Sequence, residues 1–227
     1  MSPTRNERHG DAARARGRAT SEDVARAYGE RADALAHVLG RTVAPDDPDR
    51  GIIESWASGV PGRILDVGSG TGRWTAHLAA RGHAVEGLEP AAPFVDMARE
   101  SFPAVTFRHA QVSDLDETDD RWAGILAWYS LIHMDDRELP AALATLHRVL
   151  EADGHLLLSF FSGSDYAPIA HPAATAYLWP MDDMVTALDR AGFRITGQRT
   201  MPGAPHAVVT ARAVARQPSV DGRSDRS

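Results

Sequence analysis

The segment Ile64-Leu-Asp-Val-Gly-Ser-Gly-Thr-Gly-Arg-Trp-Thr75 constrains the fold more than any other stretch of the chain. An apolar strand runs into a carboxylate and then into glycines at positions 68, 70 and 72. Glycine at that spacing strips the Cβ atoms from a sharp strand-to-helix turn, so that positive φ costs little and a ligand can approach the peptide groups. In open α/β sheets ligands bind at the carboxyl ends of the strands. Asp66 and the bare turn therefore point to one pocket.

A dinucleotide site would carry G-x-G-x-x-G, with a pyrophosphate held at the following helix N-terminus. Here the third glycine comes one residue early, position 73 is Arg, and Asp66 puts a negative charge at the mouth. A zwitterionic or cationic ligand suits that mouth better than a phosphate. An acidic residue for ribose hydroxyls is expected about 20 residues downstream. Glu89 stands 21 residues after Gly68, at the end of a second apolar stretch, and Pro90 follows it.

These residues resemble the class I S-adenosylmethionine-dependent methyltransferases. Asp66, Gly68, Ser69, Gly70 and Gly72 match that family's first motif, and Glu89 matches the acidic residue that grips the ribose. Phe107–Leu115 is similar to the end of the family's third strand, with Gln111 in the acidic place beside adenine and Val112 as backbone donor. Ile125–His133 resembles the fourth strand and the loop behind the methyl donor, with Trp128 and Tyr129 flanking the pocket. Arg148–Leu158 is similar to the fifth-strand region, with Ala152-Asp-Gly154 in place of the usual Pro-Gly-Gly turn, and Ala191–Ile195 resembles the start of the sixth strand. Tyr28 resembles the aromatic residue of a leading helix that folds over the donor; a plain packing tyrosine is the alternative. The resemblance implies S-adenosylmethionine as donor and S-adenosylhomocysteine as product.

Composition agrees with a single enzyme-sized domain. The chain has 227 residues, 43% of them hydrophobic, enough for one substantial core. It contains no cysteine, which removes disulfides and thiolate chemistry. Its 24 basic residues are all arginine, which removes Schiff-base lysines and the P-loop lysine. A net charge of −7 speaks against a nucleic-acid partner, and no run of 18 apolar residues suggests a membrane span. The ten histidines show no spacing suited to a metal. A cytoplasmic monomer or homodimer acting on a small molecule is expected.

The expected architecture is a three-layer α/β/α Rossmann-like sandwich whose seven-stranded sheet is mostly parallel, with one antiparallel strand near the C-terminus. Residues 1–19 and 213–227 read as disordered tails around one domain at 20–212. Helices are expected at 20–39 and 47–58, within a helical cap over 20–60, and at 72–81, 92–100, 136–150 and 181–191. Strands are expected at 63–67, 83–88, 104–108, 122–128 and 154–161. A hairpin turning at Pro202–Pro205 would supply the antiparallel strand. Between Ser162 and Trp179 an 18-residue connection, long for this fold, reads as an acceptor-side loop over 162–180.

Methyl transfer from a sulfonium needs alignment in a dry pocket more than acid–base help, and a general base only for a protonated acceptor. His133 is the candidate base because it follows the fourth strand. Asp135 and Asp136 beside it offer the alternative of a helix-start histidine. Tyr129, His133, Tyr166 and His171 are the candidate acceptor-binding residues, with the alternative that some of the 162–180 aromatic set only pins the loop. No Asn-Pro-Pro-Tyr-like segment follows the fourth strand, which favours a metabolite over a nucleobase or protein amide. The rivals are a donor-binding module without transfer activity and an NAD(P)-dependent oxidoreductase.

Overall fold

The computed structural model describes residues 19–201 and 203–214. The expected tails lie outside these residues except at Ala19, Ala213 and Val214, and so does Pro202 of the expected hairpin turn. Three helices lead, α1 (Ser21–Glu30), α2 (Ala32–Leu39) and α3 (Arg50–Ser58). Strands and helices then alternate: β1 (Ile64–Val67), α4 (Arg73–Ala80), β2 (Val85–Glu89), α5 (Ala92–Ser101), β3 (Thr106–His109), β4 (Trp122–Trp128), α6 (Glu138–Val149) and β5 (Leu150–Ser162). The remainder is β6 (Ala167–Ile169), β7 (Ala176–Trp179), α7 (Met181–Arg190), β8 (Phe193–Thr200) and β9 (His206–Ala213).

Five parallel strands stand in the order β3-β2-β1-β4-β5, which places β1 at the centre. Their side chains alternate between two cores, as a strand period of two requires. Leu65, Val67, Ile125, Ala127, Leu156 and Leu158 face α6 and α7, while Ile64, Leu126 and Leu157 face α3 and α4. With both faces covered, β1 is buried at all four residues.

The sheet has nine strands rather than the expected seven. The extra pair comes from the 162–180 segment, expected as a loop, in which β6 and β7 pair antiparallel. β7 then pairs parallel with β5 at Phe161 and Ser162. Since β9 occupies the other edge of β5 at Phe161, β7 sits on the edge that β4 vacates after Trp128. The Tyr177 N–H donates to the Ile132 carbonyl at 2.9 Å, which fastens β7 beside the loop after β4. Glycine, proline and serine around a short Tyr-Leu-Trp run conceal this strand from periodicity. The expected antiparallel strand is β9, which pairs with β5 and runs to Ala213.

Other boundaries differ, and β5 begins at Leu150 where the strand was expected from 154. The expected helix from 20 to 39 breaks at Arg31, where φ is −119° and ψ is 14°. Its start is as expected, since Thr20 and Asp23 cap each other's backbone at 3.2 and 3.0 Å. The second helix begins at Arg50, not 47, and Val112–Glu117 forms a 3₁₀ turn that the sequence does not announce.

Helix α4 is capped from outside its own sequence. Its N-cap, Gly72, has no side chain to offer and adopts φ 78°. Asp66 of β1 fills the role: its Oδ2 accepts from the Thr75 hydroxyl at 2.6 Å, and the Thr75 backbone N–H adds to it. Gly72 is also sterically required. A Cβ there would lie 2.7 Å from Phe107 Cζ and 3.0 Å from Ala98 Cβ. Gly72→Ala is expected to lower stability by about 2 to 4 kcal/mol, from left-handed backbone strain plus overpacking. Chemical denaturation checks this, and an unshifted midpoint would contradict it.

Candidate functional site

Three of the predicted residues build the floor of the site. Gly68, Gly70 and Gly72 have φ of 67°, 54° and 78°, so the turn after β1 is left-handed at each glycine. The N–H groups of Gly68 and Ser69 both donate to the Leu88 carbonyl of β2, at 2.7 and 3.1 Å, which locks the turn against the neighbouring strand end. Gly70 differs from its neighbours in that a Cβ there would meet nothing within 4 Å. The space beside it is open.

Glu89 closes this floor from β2. Its Oε2 accepts from the Gly70 N–H at 2.8 Å and its Oε1 from the Ala91 N–H at 2.9 Å. Burial pushes this carboxylate up to about 7, against the pull of those two donors, and Asp66 adds a smaller push. Asp66 is likewise raised to about 7 by burial. Asp66 takes the Thr75 hydroxyl as its partner beneath the turn.

Beside Gly68 lies a cavity of about 260 Å³, lined by Gly68, Pro90, Gln111, Val112, Ser130 and His133 among others; Gly70 and Glu89 are not among its lining residues. Helix α6 contributes Ala141, Ala142 and Thr145, and α1 contributes Ser21 and Val24. Gln111 is thus at the site as expected, and its backbone N–H is held by Asp114 at 2.9 Å. Two hydroxyls of the region, Ser69 Oγ and Ser130 Oγ, are buried without any hydrogen-bond partner. Ser130 reads in sequence as a turn residue; its contact with the glycine turn is visible only in space.

On the far side of the cavity, His133 accepts and donates at once. Its Nδ1 lies 2.8 Å from the Thr175 carbonyl oxygen, an acceptor only, so Nδ1 carries the proton. Nε2 is then a bare lone pair, and the Tyr28 hydroxyl donates to it at 2.8 Å. Burial holds His133 down at about 4 and pushes the Tyr28 phenol well above its ordinary value, with the Glu89 charge adding to the latter. His171 meets His133 edge-on at 4.9 Å between ring centroids.

The other predicted aromatics divide. Tyr129 adopts φ 53°, rare for a non-glycine residue, and its hydroxyl lies 2.8 Å from His206 Nδ1. Trp128 does not reach the cavity: its indole N–H donates to Asp49 Oδ2 at 3.0 Å, and the ring packs with the core cluster of Ile53, Trp56 and Trp74. Tyr166 also stays apart from His133. Its ring stacks on Tyr177 at 5.5 Å and 2°, meets Trp179 at 4.9 Å, and its oxygen accepts the Asp136 N–H at 3.2 Å. Phe161 and His206, not singled out in the sequence, join Tyr129 at 5.5 and 5.4 Å.

A glycine turn at the central strand end, an acidic residue one strand over and a cavity beside Gly68 lie together at the carboxyl ends of the strands, where open α/β sheets bind ligands. The family described as a methyltransferase domain matches residues 64–154. An O-methyltransferase of Penicillium expansum, cnsE, is 31% identical over 208 residues, which cover 78% of this chain and 74% of that protein. The chain belongs to the class I S-adenosylmethionine-dependent methyltransferase family. Solved structures share the fold. A Burkholderia thailandensis 1,6-didemethyltoxoflavin-N1-methyltransferase, with its acceptor and S-adenosylhomocysteine bound, has a TM-score of 0.70 at 21% identity over 95% of this chain and 93% of that one. The [4+2]-cyclase SpnF has a TM-score of 0.73 at 18% identity over 86% of this chain and 97% of that one. Among the described residues no helix is long and apolar enough to cross a membrane.

The buried Glu89 leaves a mark on stability. Its folded value of about 7 lies above the ordinary 4.5, so protons favour the folded state. That contribution is complete below pH 4.5 and is lost as pH rises through 7. Relative to Glu89→Gln, the wild type is expected to lose up to about 3 kcal/mol of stability over that range. Denaturation curves at several pH values check this, and parallel pH profiles for the two proteins would contradict it.

Proposed function

We propose that the protein transfers a methyl group from S-adenosylmethionine to an oxygen atom of a small-molecule acceptor, leaving S-adenosylhomocysteine. The observation that carries this reading is that one cavity is lined both by Gly68, at the start of the Glu89-closed glycine turn, and by His133, whose Nε2 is unprotonated. The oxygen preference is supported by that lone pair, which suits an acceptor arriving with a hydroxyl proton, and by the O-methyltransferase relative.

The residues present fit the donor. Open space at Gly70, two unpartnered buried hydroxyls and a carboxylate with lone pairs to spare form a polar, Cβ-free cradle. Bound there, S-adenosylmethionine supplies a methyl group already activated by a positively charged sulfur. Glu89 accepts the ribose hydroxyls, Pro90, Gln111 and Val112 line the adenine side, and Gly68, Ser69 and Ser130 receive the polar end. The buried Glu89 and Asp66 give the cradle the negative sign that a cationic ligand needs and a phosphate opposes.

His133 then takes the acceptor proton at Nε2 while Thr175 holds its Nδ1–H and so fixes the tautomer. His171 lies within reach of the same acceptor face, whereas Tyr166 and Trp128 support the surrounding structure. Helices α1 and α6 wall the cavity, and the exclusion of water there strengthens every polar contact inside.

Incubating the purified protein with donor and cell extract, and finding a metabolite heavier by about 14 Da in the mass spectrum, tests the activity. NADH binding tighter than donor binding would contradict it. Glu89→Ala is expected to weaken donor binding by about 1.5 to 3 kcal/mol in calorimetry, the weight of hydrogen bonds to a charged group. His133→Ala is expected to lower turnover by about 10² to 10⁴ at neutral pH and to recover partly as rising pH ionises the acceptor. A mutant whose turnover matches the wild type would return His133 to a packing role.

A further inference from the structure

The lone pair that His133 would use as a base is taken by the chain's own phenol. Tyr28 reaches it from α1, a helix that buries none of its residues. Helix α1 is held by the Tyr28–His133 bond, by the Tyr28 ring packed on the cluster of Ala32, Ala36, Ala91, Phe94 and Met97, and by the Arg31 guanidinium donating to the Pro172 carbonyl just past the helix. With none of its own residues fully buried, it lies toward the less stable end of the structure, where local opening costs least.

Around this phenol the neighbours are rings. Tyr28 meets His133 edge-on at 5.4 Å and His171 at 6.3 Å. From His171 the row continues to Phe161 at 6.4 Å, and Phe161 meets both Tyr129 and His206, at 5.5 and 5.7 Å. A place that packs the Tyr28 ring edge-on and tilted against Phe94, His133 and His171 suits another flat ring once Tyr28 leaves it. The bond to His133 accommodates a hydroxyl in particular, because Nε2 accepts a proton and has none to give.

We propose that the Tyr28 phenol stands in the acceptor's place, and that the acceptor is itself a hydroxyarene, a flat aromatic ring bearing a hydroxyl, which replaces Tyr28 on His133 when helix α1 lifts. This rests on the methyl-transfer reading of the site. The hydroxyl proton passes to His133 Nε2, the oxygen forms its bond to the methyl carbon, and the S–CH₃ bond breaks with its electron pair left on sulfur. His133 returns the proton to water, and the Tyr28 hydroxyl closes again on Nε2. Tyr28 is therefore a competitor of the acceptor, not a ligand of the donor.

Calorimetry on the full chain loaded with S-adenosylhomocysteine tests this with three probes: 2-naphthol, its methyl ether 2-methoxynaphthalene, and the saturated alcohol decahydro-2-naphthol. The first is expected to bind about tenfold more tightly than the other two, because only it offers both the flat ring and the proton. Tyr28→Phe, which keeps the ring and loses the competing hydroxyl, is expected to tighten 2-naphthol by about five- to tenfold and to leave S-adenosylhomocysteine affinity unchanged. In the wild type, 2-naphthol should speed amide hydrogen exchange across Val24 to Glu30, a readout that needs no variant to fold. Equal affinities for the three probes, weaker 2-naphthol binding by Tyr28→Phe, or slower exchange in α1 would each overturn the inference. If S-adenosylhomocysteine fails to bind, the methyl-transfer reading falls; the same 2-naphthol comparison in the ligand-free protein still decides whether Tyr28 masks a phenol site.

Discussion

One carboxylate ties the site together. Glu89, at the end of β2, accepts the Gly70 N–H from the turn after β1 and the Ala91 N–H from the turn after its own strand. It is only 6% exposed, and removing a carboxylate from water costs several kcal/mol unless donors replace the lost hydration. The two backbone N–H groups supply part of that replacement, while burial still holds the carboxylate up at about 7, and the left-handed backbone at Gly70 is what aims one of them. The shape of the turn is therefore tied to Glu89. In the adjacent strand β1, Asp66 has the corresponding role, since its bond with Thr75 fixes the start of α4. Two neighbouring buried carboxylates, each held by N–H or O–H donors, shape the cavity floor and give it a negative bias.

That bias separates the donor side from the acceptor side. Around the glycine turn the groups are backbone amides, carboxylates and small hydroxyls; around His133 they are rings, and burial favours the neutral forms of Tyr28, His133 and His171. The first set suits a cationic sulfur and the second a flat uncharged acceptor, as proposed above. The fold alone would not settle this, since the same architecture appears in a [4+2]-cyclase as well as in methyltransferases. The chemistry is argued from the lone pair on His133 and the carboxylate on Glu89, not from the sheet.

Much of the donor side was legible in the sequence, because it is local. The glycines at 68, 70 and 72 need positive φ, and a strand-end acid near position 89 lies in the adjacent strand by the logic of a β-α-β unit. Asp66 was legible as a strand-end carboxylate beside the pocket but not as a helix cap, since its partner Thr75 becomes adjacent only after the turn folds back. The acceptor side was less legible because it is assembled from distant segments. Tyr28 and His133 are 105 residues apart, and Tyr129 and His206 are 77 apart. Trp128 and Tyr129 are sequence neighbours whose roles diverge because the backbone turns to φ 53° at Tyr129, sending one ring to Asp49 and the other to His206. The strand β7 escaped notice because its pairing edge exists only where β4 stops short of β5.

The most direct test is a crystal structure of the protein with S-adenosylhomocysteine. The ribose hydroxyls are expected on the Glu89 carboxylate, the adenine beside Pro90, Gln111 and Val112, and the nucleoside against Gly70 with the 68–72 turn unmoved. Electron density for the compound outside this cavity, or a ribose held by groups other than Glu89, would contradict that expectation.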